Sequence, residues 1–481
     1  MGCYGPDTRK SATFTQEKQS CLSVRCVATA EDLLTGAEVV HLAIPDTGGT
    51  LRSKRFPRGR AAKLAASGWS FIEAIQWWDT VDGVPGDRAW THAPAEVDLA
   101  TVRRFPFEPH AAIALADFTG ATGALSPRRV LARLTERLAA LGLTAKLAFE
   151  IEVILLDGTS DEQAAAEYAR PRAIAAANRC WSGLTMASHA DLIRSLDETL
   201  AAGDVVLDHL CAELGPGCLE LATTPKAPVA AADDLAFLKL YTKAWAFSRG
   251  CTATFMAKLS EDFPGLGGHP VLSLHDAATD ADVLAGSGVW PGRAELAGSA
   301  VSAGGAPGGE PLSKTALHAI AGIVAALPEL TIFAAPTVNS YRRLAPGNWA
   351  PRTATWGIGN YTCGLRAVPA QAGTPLRLEL RLPGADANPW LAAALAVGGA
   401  VHGLEQRLDP PAPVAGPARE VPPGVPRTLL EAAERLAASH LARDLAGEEF
   451  VTHYAATRAE EDRQLRLLVP AAERARYLDH A

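Results

Sequence analysis

Apolar and polar positions recur along this chain with two periods. The runs AEVVHLAI at 37–44 and KLAFEIEVILL at 146–156 have the composition of strands, and LRLELRL at 376–382 alternates strictly. Side chains two apart share a face of a strand. Glu150 and Glu152 therefore point to one side of the second run, and Arg377, Glu379 and Arg381 to one side of the third. From Pro127, PRRVLARLTERLAALG carries apolar residues at helical spacing, with Pro127 in the first turn and Gly142 as a stop signal. Two further helical patterns close the chain, TLLEAAERLAASHLARDL at 428–445 and EEFVTHYAATRAEEDRQLRLL at 448–468.

With 481 residues, nearly half of them apolar and a fifth charged, the chain exceeds one core and predicts two unequal globular domains. Residues 1–23 are polar and predict a disordered tail; 24–108 mix short strand-like runs with Gly and Pro breaks, as in a small α/β domain; 109–481 form the remainder. The Gly, Ser and Pro of 284–311 predict a surface insertion. There is no internal repeat of solenoid length and no P-loop motif.

A net charge of −8 gives no basic footprint for nucleic acid or an anionic membrane, which leaves small substrates as the expected partners. Eight scattered cysteines without a C-x-x-C pair predict reduced thiols. The polar start lacks the apolar run of a signal peptide, and no stretch of about 20 residues is apolar enough to span a bilayer. A cytoplasmic protein is expected.

Chemistry concentrates in six residues: Glu150, Glu152, Glu213 and Glu220 (AELGPGCLE, 212–220), His269 (GLGGHPVLSL, 265–274) and Glu379. Singly, each has an ordinary reading as a solvated strand face, a turn-flanking acid or a loop histidine. Together they fit one pocket only if cations are present, because like charges about 4 Å apart repel by roughly 4 kcal/mol per pair at an effective dielectric near 20. Carboxylates with one imidazole suit Mg²⁺ or Mn²⁺ better than Zn²⁺, and two such ions can bridge phosphate oxygens.

Several segments in order resemble the glutamine synthetase family across nearly the whole chain after residue 24. They include DFTGATGALSPRRVL at 117–131, FEIE at 149–152, TFMAKL at 254–259, APTVNSYRRLAPGNWAP at 335–351, LELR at 378–381 and GADANPWLAAALAVGG at 384–399, besides the two acidic and glycine-rich segments above. The resemblance implies an α+β fold: an N-terminal β-grasp domain and a catalytic domain on a curved antiparallel sheet flanked by helices. It also implies a homo-oligomer, a dodecamer of two hexameric rings with shared active sites, and ATP-driven activation of a carboxylate as an acyl phosphate that an amine then captures.

Carried over by position, the resemblance assigns Glu152, Glu213 and Glu220 to one Mg²⁺ or Mn²⁺ and Glu150, His269 and Glu379 to another. Arg343, Arg366 and Arg381 match catalytic arginines on the carboxylate and phosphate side. Gly265 and Trp349 fall, with Arg343 and Arg381, at substrate-binding positions, and Ser273, Arg366 and Tyr361 at ATP-side positions. Lys258 lies in a neighbouring motif, and Asp79 in QWWDT is a candidate cross-subunit acid.

Departures from the family pattern stand beside these matches. Tyr361 follows Asn360 where an arginine is usual, Trp349 stands where ammonia-using members have glutamate, Pro264 and Val271 replace an amide and a second histidine, and Cys218 replaces glutamine. The expected activity is ligation of glutamate or a related acid to an amine other than ammonia. The alternatives are a binding or scaffold oligomer on the same fold, and glutamine synthesis itself.

Overall fold

The computed structural model describes residues 34–83, 90–169, 171–175, 179–286, 312–371, 374–418 and 424–477. The expected tail at 1–23 and residues 287–311 of the expected insertion lie outside them. The first sheet is built from β1 (Val39–Pro45), β2 (Leu51–Pro57), β3 (Trp69–Ile72), β4 (His92–Arg104) and β5 (Ala111–Phe118) in the order β2-β1-β5-β4-β3. Its central pair β1–β5 is parallel and its other pairs antiparallel, a β-grasp arrangement. Val40, Leu42, Ile44, Phe71, Ala114 and Phe118 face the helix α1 (Arg58–Ser67), which buries Ala61, Ala62 and Leu64. Because β5 is its third strand, this sheet runs past residue 108 to Phe118.

The second sheet contains β6 (Leu143–Asp157), β7 (Leu207–Ala212), β8 (Cys218–Thr223), β9 (Cys251–Thr254), β10 (Gly268–Asp276), β11 (Trp356–Ile358), β12 (Leu365–Val368) and β13 (Arg377–Leu380). Its order is β11-β12-β13-β10-β6-β8-β7, with β9 also on β6, and all pairs are antiparallel except β11–β12. The long strand β6 is the hub. Its first half pairs with β10 and its second half with β8 and β9.

Helices cover one side of this sheet: α2 (Pro127–Ala140), α3 (Pro228–Ser248), α4 (Lys314–Glu329) and α5 (Pro389–Gln406). Ser126 caps α2 by accepting from the Arg129 amide, and Gly142 follows at φ +75°, so the predicted start and stop hold. α4 and α5 meet through glycine: a Cβ on Gly403 would sit 1.9 Å from the His318 carbonyl oxygen, so any side chain there forces the helices apart. The pattern at 428–445, expected as one helix, forms two, α6 (Leu429–Ala438) and α7 (His440–Ala446). Ser439 between them is extended and its hydroxyl accepts from the Ala442 amide at 3.1 Å, which starts a new helix instead of continuing the old one. α8 (Glu448–Arg466) follows as predicted.

The two sheets are joined by polar contacts that are wholly or partly buried. Arg128 on α2 reaches Asp98 on β4 at 2.6 Å and Asp233 on α3 at 2.8 Å, and the Asn388 side chain donates to the Thr47 carbonyl at 3.0 Å. Among the described residues no helix is long and apolar enough to cross a membrane, and Cys180, Cys211, Cys218, Cys251 and Cys363 form no disulfide.

Candidate active site

Strand register assembles the acidic residues. Glu150 on β6 is paired with His269 on β10, and Glu152 with Glu220 on β8. Cross-strand partners share a face, and Glu150 and Glu152 share it by their spacing of two. Two donor rows thus lie side by side on one face of the sheet. One ligand atom each from Glu150, His269 and Glu379 lies within 4.8 Å of the others. A second such group joins Glu213 and Glu220 with Cys211. Glu152, opposite Glu220, accepts from the Gly267 amide at 2.7 Å.

The electrostatics are those of anions crowded without enough cation. Burial, then Glu150, Glu152 and Glu213, push the Glu220 carboxyl up to about 8, and burial with Glu379 pushes Glu150 up to about 7. Glu152 is also raised, chiefly by burial. His269 is held well below its ordinary range by burial and by Arg381, Arg343 and Arg366, so it is a neutral imidazole able to ligate. Neutral nitrogen, several hard oxygens and unrelieved repulsion fit divalent cations.

Three guanidinium groups border the donors. Arg366 donates to Glu379 Oε2 at 2.7 Å, Arg381 pairs with Glu379 Oε1, and Arg343 Nη2 lies 3.3 Å from His269 Nε2. Arg343 is buried, donates to the carbonyl oxygens of Leu382 and Arg381, and leaves its Nε without a partner. Burial depresses it to about 10, which leaves it cationic at neutral pH. Gly265 makes room for this side chain, because a Cβ there would meet Arg343 Cγ at 2.6 Å.

The remaining predicted residues have varied surroundings. Tyr361 stacks its ring against Arg366 at 3.8 Å and its carbonyl accepts from Arg381 Nε at 3.0 Å. Ser273 is buried with its hydroxyl 2.9 Å from His275 Nε2. Lys258 pairs with the Phe263 carbonyl and donates to Asn348 at 3.2 Å, so it anchors the loop carrying Trp349, which is itself 81% exposed. Asp79 accepts the Val81 and Gly83 amides with one oxygen and shapes its own turn.

Residues beyond the predicted set also reach the site. The Cys180 thiol donates to Glu213 Oε1 at 3.0 Å, and His209 Nε2 lies 3.8 Å from Glu220. Cys211 could have been noticed, since in HLCAE it stands two before Glu213 and so on the same side of an extended segment. Nothing in sequence spacing marks Cys180.

Comparison with known proteins agrees with this geometry. The family model described as glutamine synthetase, catalytic domain, matches residues 124–477. The chain is 34% identical to the gamma-glutamylethanolamide synthetase GlnA4 of Streptomyces coelicolor over 87% of either chain. It is 30% identical to a glutamate–isopropylamine ligase of a Pseudomonas species, over 96% of this chain and 99% of the relative. A solved GmaS–ADP complex superposes with a TM-score of 0.76 at 26% identity, covering 92% of this chain and 97% of that one. With matching segments, the same α+β architecture and a family match over most of its length, this chain belongs to the glutamine synthetase family.

Proposed function

We propose that the protein is an ATP-dependent ligase that joins glutamate or a related acid to an amine other than ammonia, through an acyl phosphate. The observation that carries this reading is the pair of donor groups, Glu150 with His269 and Glu379, and Glu213 with Glu220 across from Glu152, bordered by Arg343, Arg366 and Arg381. Glu150, His269 and Glu379 would hold one Mg²⁺ or Mn²⁺, and Glu152, Glu213 and Glu220 another; such ions, when bound, neutralise phosphate oxygens. Arg381 and Arg366 converge on Glu379 from two strands, so both guanidinium groups are already oriented to bind an anionic oxygen. Arg343, fixed by two carbonyl oxygens, presents its remaining surface toward His269 and suits the substrate carboxylate.

Choice of amine follows from Trp349. An indole in that loop supplies no negative charge to attract ammonium or take its proton, whereas its apolar face suits an alkyl or aromatic amine. Two of the relatives above are named for ethanolamide and isopropylamine chemistry, which supports the same choice. Trp349 is exposed in a single chain, as are Leu467, Leu468 and Val469 after α8, and exposed apolar groups of this kind are commonly covered in an assembly. This supports a homo-oligomer, for which the family's arrangement is a dodecamer of two hexameric rings.

The test is ADP release by the full chain with Mg²⁺, ATP and glutamate against a panel of primary amines and ammonium. Turnover with one or more amines, exceeding that with ammonium, is expected. Ammonium as the best nucleophile would make the protein a glutamine synthetase, and no ADP release with any pair would favour a binding or scaffold role.

A further inference from the structure

The row of side chains crossing β6, β8 and β7 ends in a thiol. Glu152 is paired with Glu220, and Glu220 with Cys211, so the three lie on one face of three adjacent strands. Cys211 and Glu213 are two apart, and one donor atom each from Cys211, Glu213 and Glu220 lies within 4.8 Å of the others. Glu213 is further oriented by the Cys180 thiol at 3.0 Å and by the Leu214 amide at 2.6 Å. At this end of the site the close set of donors is therefore not all oxygen.

A sulfur ligand changes which ions a site prefers. Mg²⁺ takes oxygen, whereas thiolate selects softer ions such as Zn²⁺ and Co²⁺. Tetrahedral ligands at about 2.0–2.3 Å from an ion stand roughly 3.5 Å from one another. Side chains whose donor atoms already approach within 4.8 Å reach that spacing by small rotations.

We propose that Cys211 is a metal ligand in this chain, and that Cys211, Glu213 and Glu220 form a mixed thiolate–carboxylate site that takes a thiophilic divalent ion, Zn²⁺ or Co²⁺, besides the hard ions used in ligation. The proposal rests on the reading above for placing a metal at Glu213 and Glu220, and it adds the sulfur. On binding, the Sγ–H bond of Cys211 breaks, its proton leaves to solvent and an Sγ–metal bond forms, with no change of oxidation state. Cys180 acts differently, as a positioning residue that holds Glu213.

The experiment uses the full-length protein, stripped by chelator and titrated with Co²⁺ in the absence of nucleotide. The parent is expected to develop the near-ultraviolet charge-transfer absorption of a cobalt thiolate, Cys211→Ser to lose it and Cys180→Ser to keep it. Competition against a chromophoric chelator should show Zn²⁺ held less tightly by Cys211→Ser, by at least the roughly 10–100-fold that substitutions outside the ligand shell already cause. A parent spectrum without that absorption, or one unchanged in Cys211→Ser, or lost only in Cys180→Ser, overturns the proposal. Thermal midpoints check that the variants are folded; if Cys211→Ser is not, Cys211→Ala replaces it, and the parent spectrum alone still separates thiolate from all-oxygen coordination. ADP release with Mg²⁺ is measured separately. Release without the cobalt band defeats only this proposal, and the band without release defeats only the ligase reading.

Discussion

The guanidinium carbon of Arg366 lies 3.8 Å from the centre of the Tyr361 ring, while that of Arg381 lies 5.1 Å from the same ring. Where an arginine is usual in the family, this chain instead places an aromatic face against two arginines. Tyr361→Phe keeps that face and should leave kcat/KM nearly unchanged. Tyr361→Ala removes it, and at ~0.5–2 kcal/mol for a cation–π contact should lower kcat/KM by roughly 2- to 30-fold. Equal kcat/KM for the parent and the alanine variant in the ADP-release assay would show that the ring does not orient the arginines.

Arg381 uses its fork on two partners, Glu379 and the Tyr361 carbonyl. Lysine preserves the charge and loses the second contact. Arg381→Lys is expected to cost ~1.5–3 kcal/mol in kcat/KM, the range for a hydrogen bond to a charged group. Parent-like kinetics in that variant would assign Arg381 to the strand face alone.

Gly267 stands where a Cβ would come 2.4 Å from His269 Nε2 and 3.2 Å from Glu152 Oε1. Gly267→Ala must displace the His269 ring from its place beside Glu150 and Glu379, at an overpacking cost of about 1–3 kcal/mol. Weaker Mn²⁺ binding, read from the free-ion electron paramagnetic resonance signal, is the expected result. Unchanged Mn²⁺ affinity would remove His269 from the ligand set.

The raised carboxyls make the metal-free protein pH-sensitive. Glu220, pushed up to about 8 from 4.5, keeps its proton in the folded state after the unfolded chain has lost it. Folded molecules then bind more protons at this group, so its contribution to stability is fully present below the ordinary carboxylate range and is lost as pH rises through about 8. With chelator present, the thermal midpoint should be lower at about pH 9 than at about pH 6, and the fall should shrink in Glu220→Gln or with excess Mg²⁺. If Glu220→Gln follows the parent curve, the carboxylates are not repelling one another.

Trp349→Glu restores an acid to the exposed loop next to Asn348, which Lys258 holds. An alkyl amine burying on the order of 60 Å² against indole gains ~1.5 kcal/mol at about 25 cal/mol per Å², which is close to tenfold in kcat/KM. The variant should lose about that factor with its amine and gain with ammonium. No shift in the ratio of the two rates would leave Trp349 as loop packing.

The sequence by itself determined whatever depends on neighbours in the chain. Alternation placed Glu150 with Glu152 and Glu379 with Arg381, and Pro127 and Gly142 delimited α2, because strand faces and helix ends are set by residues a few positions apart. The family motifs supplied the donor residues and their division into two metal groups, but not the geometry that brings them together. Tertiary structure decided that through register: β8 and β10 lie on either side of β6, which brings Glu220 and His269 to its two glutamates across scores of residues. It likewise decided that Cys211 stands beside Glu220, that Cys180 holds Glu213, that Tyr361 packs beneath two arginines, and that Ser439 divides one helical pattern into two. Each of these depends on a contact between distant segments or on a competing cap, and hydrophobic periodicity carries no information about which distant segments will touch.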